Sequence, residues 1–138
     1  MRKILGVFAI VIYITFSVIV GCEHKSTSSK SNLVATLVNE TKAAGRYAVI
    51  WTQTDDKGNQ VAAGNYAANF KADNYDSTIG FQISGTVSNA DDSCDTGGGQ
   101  LPTSFTIAVD SSIYAPGDTI CIRYELPVSA QVLLTIRK

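Results

Sequence analysis

The chain has 138 residues, with 11 Lys and Arg against 12 Asp and Glu, a formal net charge of −1 at pH 7. That length suits one domain, and so weak a charge bias argues against nucleic acid or an acidic membrane face as a partner. Three cysteines and one histidine, His24, leave no ligand set for a tetrahedral metal centre.

The N-terminus opens with a basic pair, Arg2 and Lys3, and residues 4 to 20 are almost wholly apolar. Ile19-Val20-Gly21-Cys22 closes that run with small or aliphatic residues before a cysteine. A secretory signal has this three-part shape and is set aside from fold reasoning. The closing tetrapeptide resembles the lipobox of bacterial lipoproteins. The resemblance implies cleavage after Gly21, a diacylglycerol thioether on Cys22 and an acylated new amino terminus. Several acyl chains anchor stably where one alone holds weakly. Glu23, rather than an aspartate, follows the cysteine, and by analogy with lipoprotein sorting in diderm bacteria this implies the outer membrane. The alternative is a plain transmembrane anchor, because residues 4 to 21 just reach the roughly 18 apolar residues needed to span a bilayer.

Loss of residues 1 to 21 removes only Arg2 and Lys3 among the charged groups and leaves 9 basic and 12 acidic side chains, a net charge near −3. Residues 23 to 32 (EHKSTSSKSN) contain no apolar side chain. Segment 22–32 therefore reads as a flexible tether carrying a domain of residues 33–138 away from the lipid.

From Leu33 onward the hydrophobic pattern has period two, with turn residues between the runs. LVATLV (33–38) is a first strand, and residues 39–44 are the only stretch that could form a turn of helix. In RYAVIWTQT (46–54), Tyr47, Val49 and Trp51 alternate with Ala48, Ile50 and Thr52. DDKGNQ (55–60) is a turn cluster, in which Gly58 and Asn59 tolerate positive φ and the aspartates bond local backbone. Strands follow at 65–72 and 77–84 and, after a long polar loop, at 105–110, 119–126 and 130–137. About seven short strands at this spacing predict an all-β fold, an immunoglobulin-like antiparallel β-sandwich.

With Cys22 lipidated, Cys94 and Cys121 remain as a pair in an oxidising compartment. In TICIRYELP the apolar Ile120, Ile122, Tyr124 and Leu126 face one way, so Cys121 faces outward, within reach of a loop cysteine. A Cys94–Cys121 disulfide is the expectation, and two unpaired thiols are the alternative.

VATLVNETKAAGRYAVIWTQTDDKGNQVAAGNYAANFKA resembles the FlgD-like immunoglobulin-like domains, which also occur in type IX secretion C-terminal regions. The matching positions are Val34 to Val38, Ala44-Gly45-Arg46-Tyr47, Val49, Trp51, Asp56, Gly58, Val61-Ala62, Gly64 and Tyr66. LPTSFTIAVDSSIYAPGDTICIRYELPVSAQVLLTIRK resembles the opening of the same family, yet here it ends the chain. That order implies a circular permutation, the old termini joined through residues 85–100 and new ones opened between two neighbouring strands. Permutation is tolerated where termini are close and exposed. The prediction is that residues 33–38 and 130–137 pair antiparallel, with Lys138 near Asn32. Val132, Leu134 and Ile136 would then pack with Trp51, Tyr66, Phe70, Ile120 and Ile122. The alternative is that strand 33–38 pairs with a neighbouring molecule and gives a strand-swapped assembly. Domains of this family are structural accessories or sorting modules; SSIYAPGD stands here where the family's sorting loop would be.

Two features suggest ligands. Asp91, Asp92 and Asp95 cluster in a Gly-rich loop beside Cys94 and could supply hard oxygens to Ca²⁺, although the closing glutamate of an EF-hand is missing. Tyr75, Phe81 and Tyr114 fall outside the expected core, and aromatic faces suit sugars and interface anchors; Tyr75 and Tyr114 are the candidate contacts. No nucleophile elbow, spaced histidine pair or phosphate loop is present in the sequence. The sequence thus reads as a non-catalytic lipoprotein without a cofactor. It would be a protein-interaction or assembly module of the cell envelope. A glycan-binding accessory or a subunit polymerising by strand exchange is the alternative.

Overall fold

The computed structural model describes residues 32–85 and 93–138. The signal segment, Cys22, all of the tether but Asn32, Asp91 and Asp92 lie outside them. The described residues form eight strands: β1 Leu33–Lys42, β2 Gly45–Trp51, β3 Gly64–Ala72, β4 Tyr75–Ile83, β5 Thr106–Val109, β6 Ile113–Tyr114, β7 Ile120–Leu126 and β8 Ala130–Arg137. They make a five-stranded sheet in the order β1-β8-β3-β4-β6 and a three-stranded sheet in the order β2-β7-β5. All pairings are antiparallel except that of β4 with β6.

Alternation explains the strands. On β3, Tyr66, Ala68, Phe70 and Ala72 point inward and are buried; on β8, Val132, Leu134 and Ile136 do the same. From the facing sheet Trp51, Ile120, Ile122, Tyr124 and Leu126 meet them, so one apolar core lies between two layers. Ring contacts cross that core: Trp51 lies 5.8 Å from Tyr66 and 6.0 Å from Phe81, and Phe70 lies 5.2 Å from Tyr124. The fold is an all-β sandwich with the expected packing partners.

β1 pairs with β8 within the chain, and the pairing closes on two backbone bonds, Asn32 N–H to the Lys138 carbonyl (2.9 Å) and Lys138 N–H to the Asn32 carbonyl (3.0 Å). The register slips twice, at Val34 and at Leu37, each an extra residue opposite β8. These bulges bring Ala35 and Val38, three apart, to the same buried face. β1 also extends to Lys42, so residues 39–44 do not form a turn of helix: pairing of Asn39, Glu40 and Thr41 with β8 outweighs any local helical tendency.

Three further differences from expectation have local causes. The second strand stops at Trp51 because Gln53 takes a left-handed conformation, φ 58°. An eighth strand, β6, arises inside the loop after β5, too short to leave an alternating pattern. Phe81 and Tyr114 belong to the core rather than outside it, at 4% and 0% exposure. Turn 55–60 forms as expected: Asp55 accepts from the backbone of Lys57 and Asn59 and from the Asn59 side chain. Those bonds, the Asn59 side chain first, hold the Asp55 carboxyl below its ordinary pKa.

Candidate functional site

β1 and β8 close on Asn32 and Lys138 at one end of the sandwich. The loop of residues 52–63 folds over that same end. Asp56 accepts from Thr36 N–H at 2.8 Å and donates its own N–H to the Val34 carbonyl at 3.1 Å. It thereby satisfies outward backbone groups of β1 that would otherwise be open to another strand. Beside this contact is a groove of about 440 Å³ lined by Leu33, Val34, Asp55, Asp56, Lys57, Val61, Tyr66 and Lys138. The Lys138 ammonium lies over the Tyr66 ring at 5.3 Å, and both aspartates are committed to backbone bonds. Charge in the groove is therefore largely spent within the fold.

The opposite end carries the turns between β1 and β2, β3 and β4, and β7 and β8. There Val128 is 55% exposed, and half-buried Tyr75 stacks on Phe105 with centroids 5.4 Å apart. Phe70 supports Tyr75 edge-on from below at 6.0 Å. Of the two tyrosines expected at a ligand surface, Tyr75 lies half-buried at this end.

Tyr114 does not, and this is a correction. Its ring packs edge-on against Phe81 at 5.7 Å, and its hydroxyl donates to Asp110 Oδ1 while accepting from Ser111 N–H. Four residues back along the chain, Asp110 holds the phenol inside, so Tyr114 is a corner-stapling residue with no face for a ligand. Burial first, then the Asp110 bond, pushes its pKa well up. Burial, with Tyr47 stacked at 5.2 Å, likewise pushes Tyr124 up to about 12 from 10.0. Both phenols therefore hold their protons more firmly folded than unfolded. Their stabilisation is whole below pH 10 and is lost as the pH climbs from there through about 12. Urea midpoints should hold level up to pH 9 and fall between pH 10 and 12, and Tyr124→Phe should flatten part of the decline. A midpoint that rises in that window would contradict the packing.

The outer face of the three-stranded sheet is partly covered by the loop before β5. Cys94 and Cys121 are bonded, with Cα atoms 5.4 Å apart. Arg123 donates to the Ser93 carbonyl at 3.0 Å, and a Cβ on Gly99 would sit 3.1 Å from the Arg46 guanidinium. Cys121 does lie on the outward face of β7, yet it is only 3% exposed because the bridged loop lies over it. Arg46 Nε pairs with Glu125 at 2.7 Å, and Thr106 joins the same carboxylate. A small cleft of about 250 Å³ separates Gly45 and Arg46 from residues 96–102.

Of the calcium candidates only Asp95 is described; its carboxylate accepts from Gly97 N–H at 3.1 Å, closing a local turn. Among the described residues no group of three or more metal-ligating side chains forms. Sequence reasoning missed Asp56 as a guard of β1, Gln53 as a buried latch and Asp110 as the partner of Tyr114. For Gln53 and Asp110 the chain offers no motif, since each acts on backbone or a ring several positions away.

Comparison with family models, with curated proteins and with solved structures found no match. The function is therefore argued from the chain itself.

Proposed function

We propose that the protein is a lipid-anchored, non-catalytic interaction module of the bacterial cell envelope, with a permuted FlgD-like immunoglobulin-like sandwich. The observation that carries the reading is the closure of Asn32 on Lys138. It supports an anchor that would join the sandwich at the Asn32 end, with Val128, Tyr75 and Phe105 at the other. The same closure favours permutation, because two strands that a hairpin joins in the family's order lie paired here at the chain's own ends. The sequence contributes the lipobox at Cys22 and a polar tether of the right kind. The partner is an envelope protein that docks at the far end through Val128.

A glycan is the second reading, favoured by the Tyr75–Phe105 stack, whose supported rings offer an apolar shelf to a sugar face.

Palmitate labelling of cells producing the protein tests the address: label should enter the native chain and be absent from Cys22→Ala. Affinity capture from native envelope tests the role. One stoichiometric protein, retained by the native chain and lost from Val128→Asp, is the expected result. Retention on polysaccharide that disappears in Tyr75→Ala would replace that partner by a glycan. An unlabelled native chain would end the anchored reading.

A further inference from the structure

We infer that the chain forms a two-fold dimer by antiparallel pairing of β2 with the β2 of a second copy, a reading that does not depend on lipidation. The sandwich has four edge strands, and three of them are guarded. β6 has two residues and β5 has four, too short to recruit a partner strand. β1 carries two bulges, and Asp56 occupies its outward backbone groups at Val34 and Thr36. β2 differs on each count. It is seven residues long, pairs with β7 in unbroken register from Gly45 to Trp51, and bears no charge from Tyr47 to Trp51. No described strand pairs with its outer edge. A long, regular edge with five uncharged residues in a row is the kind that recruits another strand.

The occupant follows from what an antiparallel self-pairing would bring together. Centred on Ala48, it sets Ala48 against Ala48, Tyr47 against Val49, and Ile50 against Arg46 of the other copy. Small residues meet at the axis, so no bulky side chain is set against its own copy. Like charges do not face each other, since each Arg46 meets an isoleucine and is already neutralised by its own Glu125 at 2.7 Å. Beside Arg46, Leu101 lines the small cleft and is 64% exposed, and Ile50 is 55% exposed. The two-fold thus brings Ile50 of each copy toward Leu101 of the other, which covers two of the largest exposed apolar side chains twice over. Such reciprocity, residue i on j and j on i, is the mark of an isologous contact. A partner of different sequence would have to supply both complements independently.

The test uses the full chain in its own cells. Ala48→Cys should cross-link at the axis under mild oxidation and run as a dimer of this chain, with Cys94–Cys121 intact by peptide mapping. Ile50→Lys added to it should lower the dimer at least tenfold, and Asn39→Cys on β1 should stay monomeric. The unsubstituted protein, sedimented in density-matched detergent at micromolar concentration, should have twice the chain mass and fall to a single chain mass with Ile50→Lys. A monomeric native chain overturns the proposal, even if Ala48→Cys fails to fold. So does a cross-link to a protein of another mass, equal dimerisation of Asn39→Cys, or a dimer indifferent to Ile50→Lys.

Discussion

Removing the Cys94–Cys121 bridge is expected to lower stability by about 3.5 kcal/mol, the chain-entropy value for cross-linking residues 27 apart. The bridge lies at the start of the described loop that leads to β5. Arg123 donates to the Ser93 carbonyl, and Cys121 is itself shielded by the loop that it binds. Without the covalent tie, the ordering of residues 93–101 has to be offset by noncovalent contacts. For a domain of this size the loss should move the urea midpoint down by roughly 2 M. Trp51, the single tryptophan and 2% exposed, reports the transition by fluorescence. Reductant and the double variant Cys94→Ser/Cys121→Ser should agree. If both leave the midpoint within about 0.5 M of the native value, the loop is not a constraint on the unfolded chain, and the entropic account fails.

The bridge was legible because it rests on a short argument: an expected export, two cysteines left over once Cys22 is assigned to lipid, and an outward position on an alternating strand. β3 and β8 were legible for a related reason. Tyr66-Ala68-Phe70-Ala72 and Val132-Leu134-Ile136 keep strict period two over regular, unbulged pairings. β1 was legible in place but not in length. Its bulges at Val34 and Leu37 break the period, and its last residues are polar because they lie at an exposed edge. The pairing of β1 with β8 was implied by the family resemblance rather than by pattern, and the register and the Asn32–Lys138 bonds bear out the pairing itself. The aromatic surface was legible only by half. Tyr75 stands between Asn74 and Asp76 and Tyr114 between Ile113 and Ala115, each in turn-rich sequence, but Asp110 folds Tyr114 inward while Tyr75 is left at a turn. What decides between them is a contact with a side chain four residues away, inside a loop that no period describes.

Gln53 is the position where the sequence says least and the expected effect is large. It is wholly buried, polar and left-handed, three features that each carry a cost unless the surroundings compensate. They do so through two loops. Its amide donates to the Ala115 carbonyl at 2.7 Å, its amide oxygen accepts from Gly117 N–H at 3.0 Å, and its own carbonyl accepts from Val61 N–H at 2.8 Å. Gln53 thus fastens the turn before β7 to the loop that guards β1. Gln53→Ala removes the side-chain bonds to Ala115, Gly117 and Gln60, leaves a cavity and keeps the unfavourable φ; a loss of about 2 to 3 kcal/mol is expected. Gln53→Gly should be less damaging by about 1 kcal/mol, because glycine adopts positive φ freely. Gln53→Glu separates bonding from volume. It keeps the shape and the acceptor toward Gly117 but turns an oxygen toward the Ala115 carbonyl, so it should lose at least as much as alanine. Urea unfolding followed at Trp51 ranks the three. If glutamate proves as stable as glutamine, the site is merely filled space. If instead the order is Gln, Gly, then Ala with Glu at or below it, hydrogen bonds across the two loops hold the end of the sandwich where Asn32 meets Lys138.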